Sequence, residues 1–532
     1  MPQSDLIQAM RNPSLYTLPG DQGVDFIQTH ISCLFLTADH VYKLKKAVNL
    51  GFLDFSTLEN RHFYCQEEVR LNSRLAPSVY LGVLEVSKDR RNERFFLGQD
   101  EKSKIVDYVV QMRRLSEDSM LPVLFRQGKV DENLLNELAG LLATFHSQTQ
   151  PVPKDSEMGS LLRIQGNIQE NFEQTEMLRD LAISSKRHLL MRRLMHWFLQ
   201  TNQSIFDSRH ERGKTRECHG DLRMEHICRF EGRLIAFDCI EFNERFRFID
   251  TAADLSFLLM DMEFHGYTSN ADTLLHAYVQ ASEDWEAQKV IDLYKAYYAL
   301  TRGKVFGIES TEEEFSRKEQ RHALEQSVRF LHLAWSYALR LHPPTLIILC
   351  GIMGTGKSEI ARHLGQELCA HVLRSDEIRK KLYGVDPQSR DYSAYGHGLY
   401  TREATENTYQ ALMDSARKLL TEGDSVIFDA SFIRQHYREM GSDLAKSMGV
   451  NCIVLECVCP DEILESRLQF RQDQGTDVSD GRSSLLTNQK ADFEPITASK
   501  NCEHVVIDTS KDLNTVLELA LLSVIGTLCP EV

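Results

Sequence analysis

The chain has 532 residues, of which 42% are hydrophobic and 26% charged, and a formal net charge of -16. That length exceeds what one hydrophobic core usually supports, so about two to four domains are expected. The acidic balance argues against a broad nucleic-acid surface, and no uninterrupted apolar run is long enough to span a bilayer.

Met1-Pro-Gln-Ser-Asp5 lacks the basic and apolar regions of a signal peptide. The 12 cysteines are scattered with no C-x-x-C pair, which speaks against a zinc site. A cytoplasmic chain with reduced thiols is the expectation.

In chain order, Ser32–Thr37 and His40–Lys46 predict a hairpin around Thr37-Ala-Asp39. A helix is expected near Thr57–Leu75, then strands at Val79–Val86, Arg94–Leu97 and Ile105–Met112. Residues 131–210 read as helical, 217–240 as strand-rich, and the rest as helical up to Leu341. A small β-rich lobe before a larger helical lobe is the layout of a bilobal, kinase-like α+β fold.

The strand-rich patch holds Cys218-His-Gly-Asp-Leu-Arg-Met-Glu-His-Ile227 and Ala236-Phe-Asp-Cys-Ile-Glu241. Phosphoryl transfer to a hydroxyl needs one carboxylate to orient or accept the proton and another to hold Mg²⁺. Asp221 is assigned the first role and Asp238 the second. A strand lysine is needed for the α- and β-phosphates, with a helix carboxylate to place it. Lys43 is the candidate, with Glu67 or its neighbour Glu68 as partner. Lys45 lies on the same strand face.

Two prolines at His342-Pro-Pro-Thr345 stop the helical region and mark a boundary, giving domains over 1–341 and 345–532. Beyond it, Thr345–Cys350, Val372–Leu373, Ser425–Asp429, Cys452–Val458 and Val505–Asp508 read as strands. Amphipathic stretches such as Tyr400–Leu420 and Ile433–Met448 separate them. The alternation predicts an α/β unit with a parallel sheet.

Its first turn completes G-x-x-x-x-G-K-[ST]: Gly351, Met353, Gly354, Thr355, Gly356, Lys357 and Ser358 cradle the phosphates of a nucleoside triphosphate. Lys357 reaches the terminal phosphates and Ser358 ligates Mg²⁺. Asp376 follows the second strand as candidate base, and Arg379, one turn later, as a clamp on phosphate. Asp429 ends an apolar strand where a carboxylate positions Mg²⁺ or its water. Arg467 and Arg471 share a helix face and are assigned to a lid, with polar Asp473–Arg482 as its mobile part.

Gly351–Ser358, Ser375-Asp376…Arg379 and the Arg467/Arg471 pair resemble the P-loop kinase group that includes zeta toxins, chloramphenicol phosphotransferase and the kinase domain of polynucleotide kinases. ATP is the expected nucleotide, since no GTP-specific lysine or threonine pattern is present. His219-Gly-Asp221 resembles the catalytic loop of aminoglycoside phosphotransferases. That family carries Asn five residues after the Asp, where this chain has His226, which the resemblance makes a metal ligand beside Asp238. Asp250 and Asp254 match a family segment that supports the loop. Val41-Tyr-Lys-Leu-Lys-Lys46, Gly51–Leu58, Arg74-Leu-Ala-Pro77 and Asp238-Cys-Ile-Glu-Phe-Asn243 extend the resemblance to bacterial bifunctional aminoglycoside phosphotransferase/ATP-binding proteins.

The resemblance implies a phosphotransferase with two ATP and Mg²⁺ sites. The acceptors would be hydroxyls of small molecules or nucleotides, with nucleic acid disfavoured by charge and no membrane partner. The alternative is a regulatory first domain controlling a C-terminal ATPase or toxin-like kinase.

Overall fold

Residues 3–16, 23–51, 53–90, 94–98, 103–313, 315–386, 396–474, 485–497 and 501–529 are described by a computed structural model, apart from the side chains of 471–474. The chain divides into two compact units, Met1–Gln174 with Asn202–Ala334, and Thr175–Thr201 with Trp335–Val532. The boundary expected at the proline pair thus falls a few residues earlier, inside the helix Arg317–Leu339. The stretch 175–201, expected in the first domain, belongs to the second unit. There the helix Ser185–Thr201 packs on the helix Leu513–Leu528, and Arg187 bonds Glu518 at 3.1 Å.

The first unit begins with the helix Gln3–Met10, followed by six strands: β1 (Asp25–Gln28), β2 (Ser32–Leu36), β3 (His40–Lys45), β4 (Tyr80–Asp89), β5 (Phe95–Leu97) and β6 (Ser103–Arg113). They form one antiparallel sheet in the order β1-β2-β3-β6-β4-β5. Alternation decides its faces. Cys33, Phe35, Tyr42 and Leu44 point into a core with Val86 and Val109. The other face of β3 carries Lys43 and Lys45 toward the helix Leu58–Asn72. That helix is N-capped by Thr57 and buries Arg61, Cys65, Glu68 and Asn72, one face at helical spacing.

After the helical segments come β7 (Thr215–Glu217), the hairpin β8 (Ile227–Phe230) and β9 (Arg233–Ala236), and β10 (Phe248–Asp250), which pairs antiparallel with β7. The helix Thr251–Phe264 begins at once and is buried for 12 consecutive residues, Thr251 to Met262. It lies behind the His-Gly-Asp loop.

The second unit holds β11 (Thr345–Cys350), β12 (His371–Arg374), β13 (Val426–Asp429), β14 (Asn451–Val458) and β15 (Glu503–Asp508). All pair in parallel, in the order β12-β13-β11-β14-β15. All six β11 residues are buried, as a central strand covered on both faces requires. Leu346, Ile348, Val426, Phe428, Tyr409 and Leu412 build the core on one face. The carboxyl ends of β11, β12 and β13 open onto residues 351, 375 and 430, where open α/β sheets bind ligands.

One expectation fails here. Cys452 and Cys502 are joined as a disulfide, where reduced thiols were expected. The cause is register: Ile453 faces Glu503 across β14 and β15, so the preceding residues on the two strands also become neighbours. Ten cysteines remain as free thiols. Among the described residues, no helix is long and apolar enough to cross a membrane.

Candidate functional site

In the second unit the chain turns out of β11 through residues 351–356 into the helix Lys357–Glu367. Gly351, Gly354 and Gly356 take φ of 140°, 82° and 86°, conformations open chiefly to glycine. A Cβ on Gly351 would sit 2.6 Å from the Cys457 carbonyl oxygen. Gly351→Ala is therefore expected to destabilise the second unit by about 2–4 kcal/mol, read as a lowered denaturation midpoint.

Within the loop, the Thr355 hydroxyl donates to the Ile352 carbonyl at 2.8 Å, and Lys357 Nζ reaches the same oxygen at 2.8 Å. Met353 N–H donates to Gln489 Oε1 at 2.7 Å. Ser358 Oγ donates to Asp429 Oδ1 at 3.1 Å, and Arg374 Nε to Asp429 Oδ2 at 3.1 Å. The hydroxyl and carboxylate assigned to Mg²⁺ thus already meet, and a cation between them would draw on both.

Lys357, Ser358, Asp376, Arg379 and Asp429 line one cavity of about 600 Å³. That lies within the range of small-ligand sites. Arg379 is 6% exposed, donates to Asp376 Oδ1 at 2.9 Å and stacks 4.4 Å over Tyr400. Its buried Nε has no hydrogen-bond partner among the described residues. Arg467 donates to the Thr509 carbonyl at 2.7 Å and stands 3.5 Å from the Gly354 carbonyl, beside the phosphate loop. Arg471 lies on the same helix, Asp461–Gln474, but its side chain is outside the described residues, as are 475–482 of the expected lid.

In the first unit, Lys43 Nζ meets Asp238 Oδ1 at 2.7 Å and Glu68 Oε1 at 2.8 Å. The helix carboxylate that places Lys43 is therefore Glu68, not Glu67. Glu67 faces Arg70 at 2.8 Å instead. Adjacent helix residues point about 100° apart, so only one can face the sheet. Lys45 is fully buried between Glu68 and Glu241. This leaves Lys43 as the lysine beside Asp238, the carboxylate assigned to Mg²⁺ from the sequence. Burial alone would raise the Glu68 pKa, but Lys43 and Lys45 hold it below the usual value.

The His-Gly-Asp loop is fixed from behind. Asp254, at 1% exposure, accepts the N–H groups of His219 at 3.0 Å and Gly220 at 2.8 Å. His146 Nε2 lies 3.1 Å from the same carboxylate. Gly220 takes φ 86°, and a Cβ there would stand 2.7 Å from the Phe246 carbonyl oxygen. Asp238 has φ 65°, strain of the kind functional sites retain. Asp250 caps its helix through Ala252 N–H and is gripped by Arg209.

Sequence reasoning missed Arg223. It clamps Asp221 with both ends of its guanidinium, Nε to Oδ1 at 2.7 Å and Nη2 to Oδ2 at 2.8 Å. Burial pushes the Asp221 carboxyl up, but Arg223, His226 and Arg302 outweigh it and bring the pKa down to about 2. A cation two residues after the acid was the available signal.

His219 is fully buried, which lowers its pKa to about 4. Its Nε2–H donates to the Phe237 carbonyl at 2.9 Å. Unfolding restores a pKa near 6.5, so its stabilising contribution is complete above that pH and shrinks as pH falls toward 4. Relative to wild type, His219→Asn is expected to flatten this loss by about 3 kcal/mol in denaturation series at pH 7 and pH 4.

Residues 346–496 match the family model of an AAA domain. Over 477 residues the chain is 28% identical to an uncharacterised protein of Mycobacterium tuberculosis, covering 88% of this chain and 91% of that protein. A gluconokinase of Arabidopsis thaliana is 28% identical over 187 residues, 33% of this chain and 91% of the gluconokinase. Among solved structures, a choline/ethanolamine kinase family protein from Mesorhizobium loti is 11% identical, with a TM-score of 0.36, covering 64% of this chain and 99% of its own. The stretch matched by the family model takes in the phosphate loop of the second unit and the strands β11 to β14.

Proposed function

We propose that the protein is an ATP-dependent phosphotransferase with a nucleotide site in each unit. The observation that carries this is the cavity of the second unit. Phosphate-gripping groups (Lys357, Ser358) and acceptor-type groups (Asp376, Arg379) face the same space of about 600 Å³. Phosphoryl transfer is mostly positioning and charge stabilisation. Mg²⁺, held by Ser358 and Asp429, would supply charge neutralisation of the phosphates. Lys357 binds the terminal phosphates, Asp376 orients and deprotonates the acceptor hydroxyl, and Arg379 and Arg467 counter the negative charge.

The gluconokinase relative points the acceptor of the second unit toward small polyhydroxy compounds, sugar acids among them. A buried arginine beside the candidate base suits an acceptor that carries a carboxylate or phosphate. In the first unit, Lys43 would bind the α- and β-phosphates and Asp221 would orient a hydroxyl.

A second reading has the first unit bind nucleotide without transferring its phosphoryl group. The bidentate Arg223–Asp221 pair favours it, because the clamp occupies both carboxylate oxygens. Transfer of labelled γ-phosphate to a panel of sugars, sugar acids and nucleotides tests both readings. Label on an acceptor that is lost in Lys357→Ala assigns the second unit. Label lost in Asp221→Asn assigns the first. No transfer above hydrolysis to any acceptor would defeat the proposal.

A further inference from the structure

We infer that the first unit holds its metal ion through the imidazole of His226, and so takes a transition divalent cation, Mn²⁺, in preference to Mg²⁺. The inference rests on the proposed nucleotide site in that unit. His226 lies in the short helical turn Met224–His226 and is 8% exposed. Its Nδ1 is 2.8 Å from the Asp221 carbonyl oxygen. A carbonyl only accepts, so Nδ1 carries the hydrogen and donates. The lone pair is then on Nε2, which faces Asp238 Oδ2 at 3.7 Å. Asp238 spends its other oxygen on Lys43. Nε2 and Oδ2 are closer together than two metal–ligand bonds of about 2.1 Å laid end to end, so one cation can reach both.

The ring does the work of an amide with different atoms. An asparagine here would donate its N–H to the Asp221 carbonyl and offer its oxygen to the metal. The imidazole keeps the donor and replaces the oxygen ligand with nitrogen. A ligating histidine held by a backbone carbonyl through its other N–H is the usual arrangement at metal sites. Nitrogen is a poor exchange for Mg²⁺, which favours oxygen and keeps its water. First-row transition cations bond imidazole nitrogen more strongly than Mg²⁺ does, and among them Mn²⁺ also keeps the octahedral oxygen shell that phosphates and a carboxylate supply. Glu225 Oε1 also lies 3.9 Å from His226 Nε2, but Arg223 holds that oxygen.

The test uses full-length protein carrying Lys357→Ala, to silence the second site, with Mn²⁺ and a non-hydrolysable ATP analogue. Pulsed electron paramagnetic resonance should show modulation from a directly bound imidazole nitrogen. Isotopically labelled histidine should change that modulation in protein with no substitution at position 226, so the readout survives a variant that fails to fold. His226→Asn should abolish the modulation and narrow the preference for Mn²⁺ over Mg²⁺ by about tenfold or more. Nucleotide binding without imidazole modulation, or modulation that persists in folded His226→Asn, overturns the metal assignment alone. Absence of nucleotide from the first unit overturns both the assignment and the two-site function.

Discussion

Lys357→Ala is expected to lower phosphoryl transfer by the second unit about 100- to 1,000-fold and to weaken its grip on ATP. Lys357 opens the helix that follows the phosphate loop, and its ammonium arches back over the loop to the Ile352 carbonyl at 2.8 Å. Loop amides and helix terminus supply partial charges, whereas the lysine brings a full one. Two other cations of the cavity are already engaged. Arg374 is spent on Asp429 and Glu377, and Arg379 on Asp376. Titration of the full-length variant with a fluorescent ATP analogue, beside wild type, measures the loss. Unchanged second-site affinity would remove the phosphate cradle from the proposal. Fold should be spared, because the side chain serves the loop surface rather than the core of β11.

Asp221→Asn is expected to reduce transfer by the first unit between about 100- and 10,000-fold while leaving its ATP affinity within about threefold. The carboxylate stands at the loop, and in the proposed site the metal and phosphate contacts would fall instead to Asp238 and Lys43, which pair with each other at 2.7 Å. With a pKa brought down to about 2, Asp221 is ionised from about pH 4 upward. Its rate contribution should therefore stay level from about pH 4 upward and disappear only as pH falls toward 2. So acidic a group is a weak base. In the proposed mechanism it would orient the hydroxyl and take the proton late, as a loose phosphoryl-transfer transition state permits. Arg223 must turn aside or share the carboxylate for this to happen. Equal transfer rates in wild type and variant would favour the binding-only reading of the first unit.

The phosphate loop was legible because its chemistry is local. Glycines at 351, 354 and 356, then Lys357 and Ser358, fix the turn and its donors within eight consecutive residues. The strands of the second sheet were legible for a similar reason, since buried parallel strands are short apolar runs between helical stretches. Strand β1 was not: of its residues only Phe26 is partly buried, so no alternation marks it. Glu67 and Glu68 are chemically alike in sequence, and only the docking of their helix on the sheet separates them. The support role of Asp254 came from family resemblance. Periodicity is silent about it, because its helix is buried all round and shows no polar face. Membership of 175–201 in the second unit and the Cys452–Cys502 pairing both depend on contacts remote in sequence, which spacing does not encode.

The Cys452–Cys502 link has a topological consequence. It joins the starts of two neighbouring parallel strands and so makes a closed ring of everything between them, including the helix that brings Arg467 to the phosphate loop. A single peptide bond cut anywhere along that ring opens it without setting either piece adrift. While the bridge is intact, both severed ends stay tethered to the sheet, so backbone continuity and molecular integrity become separate properties in this half of the molecule.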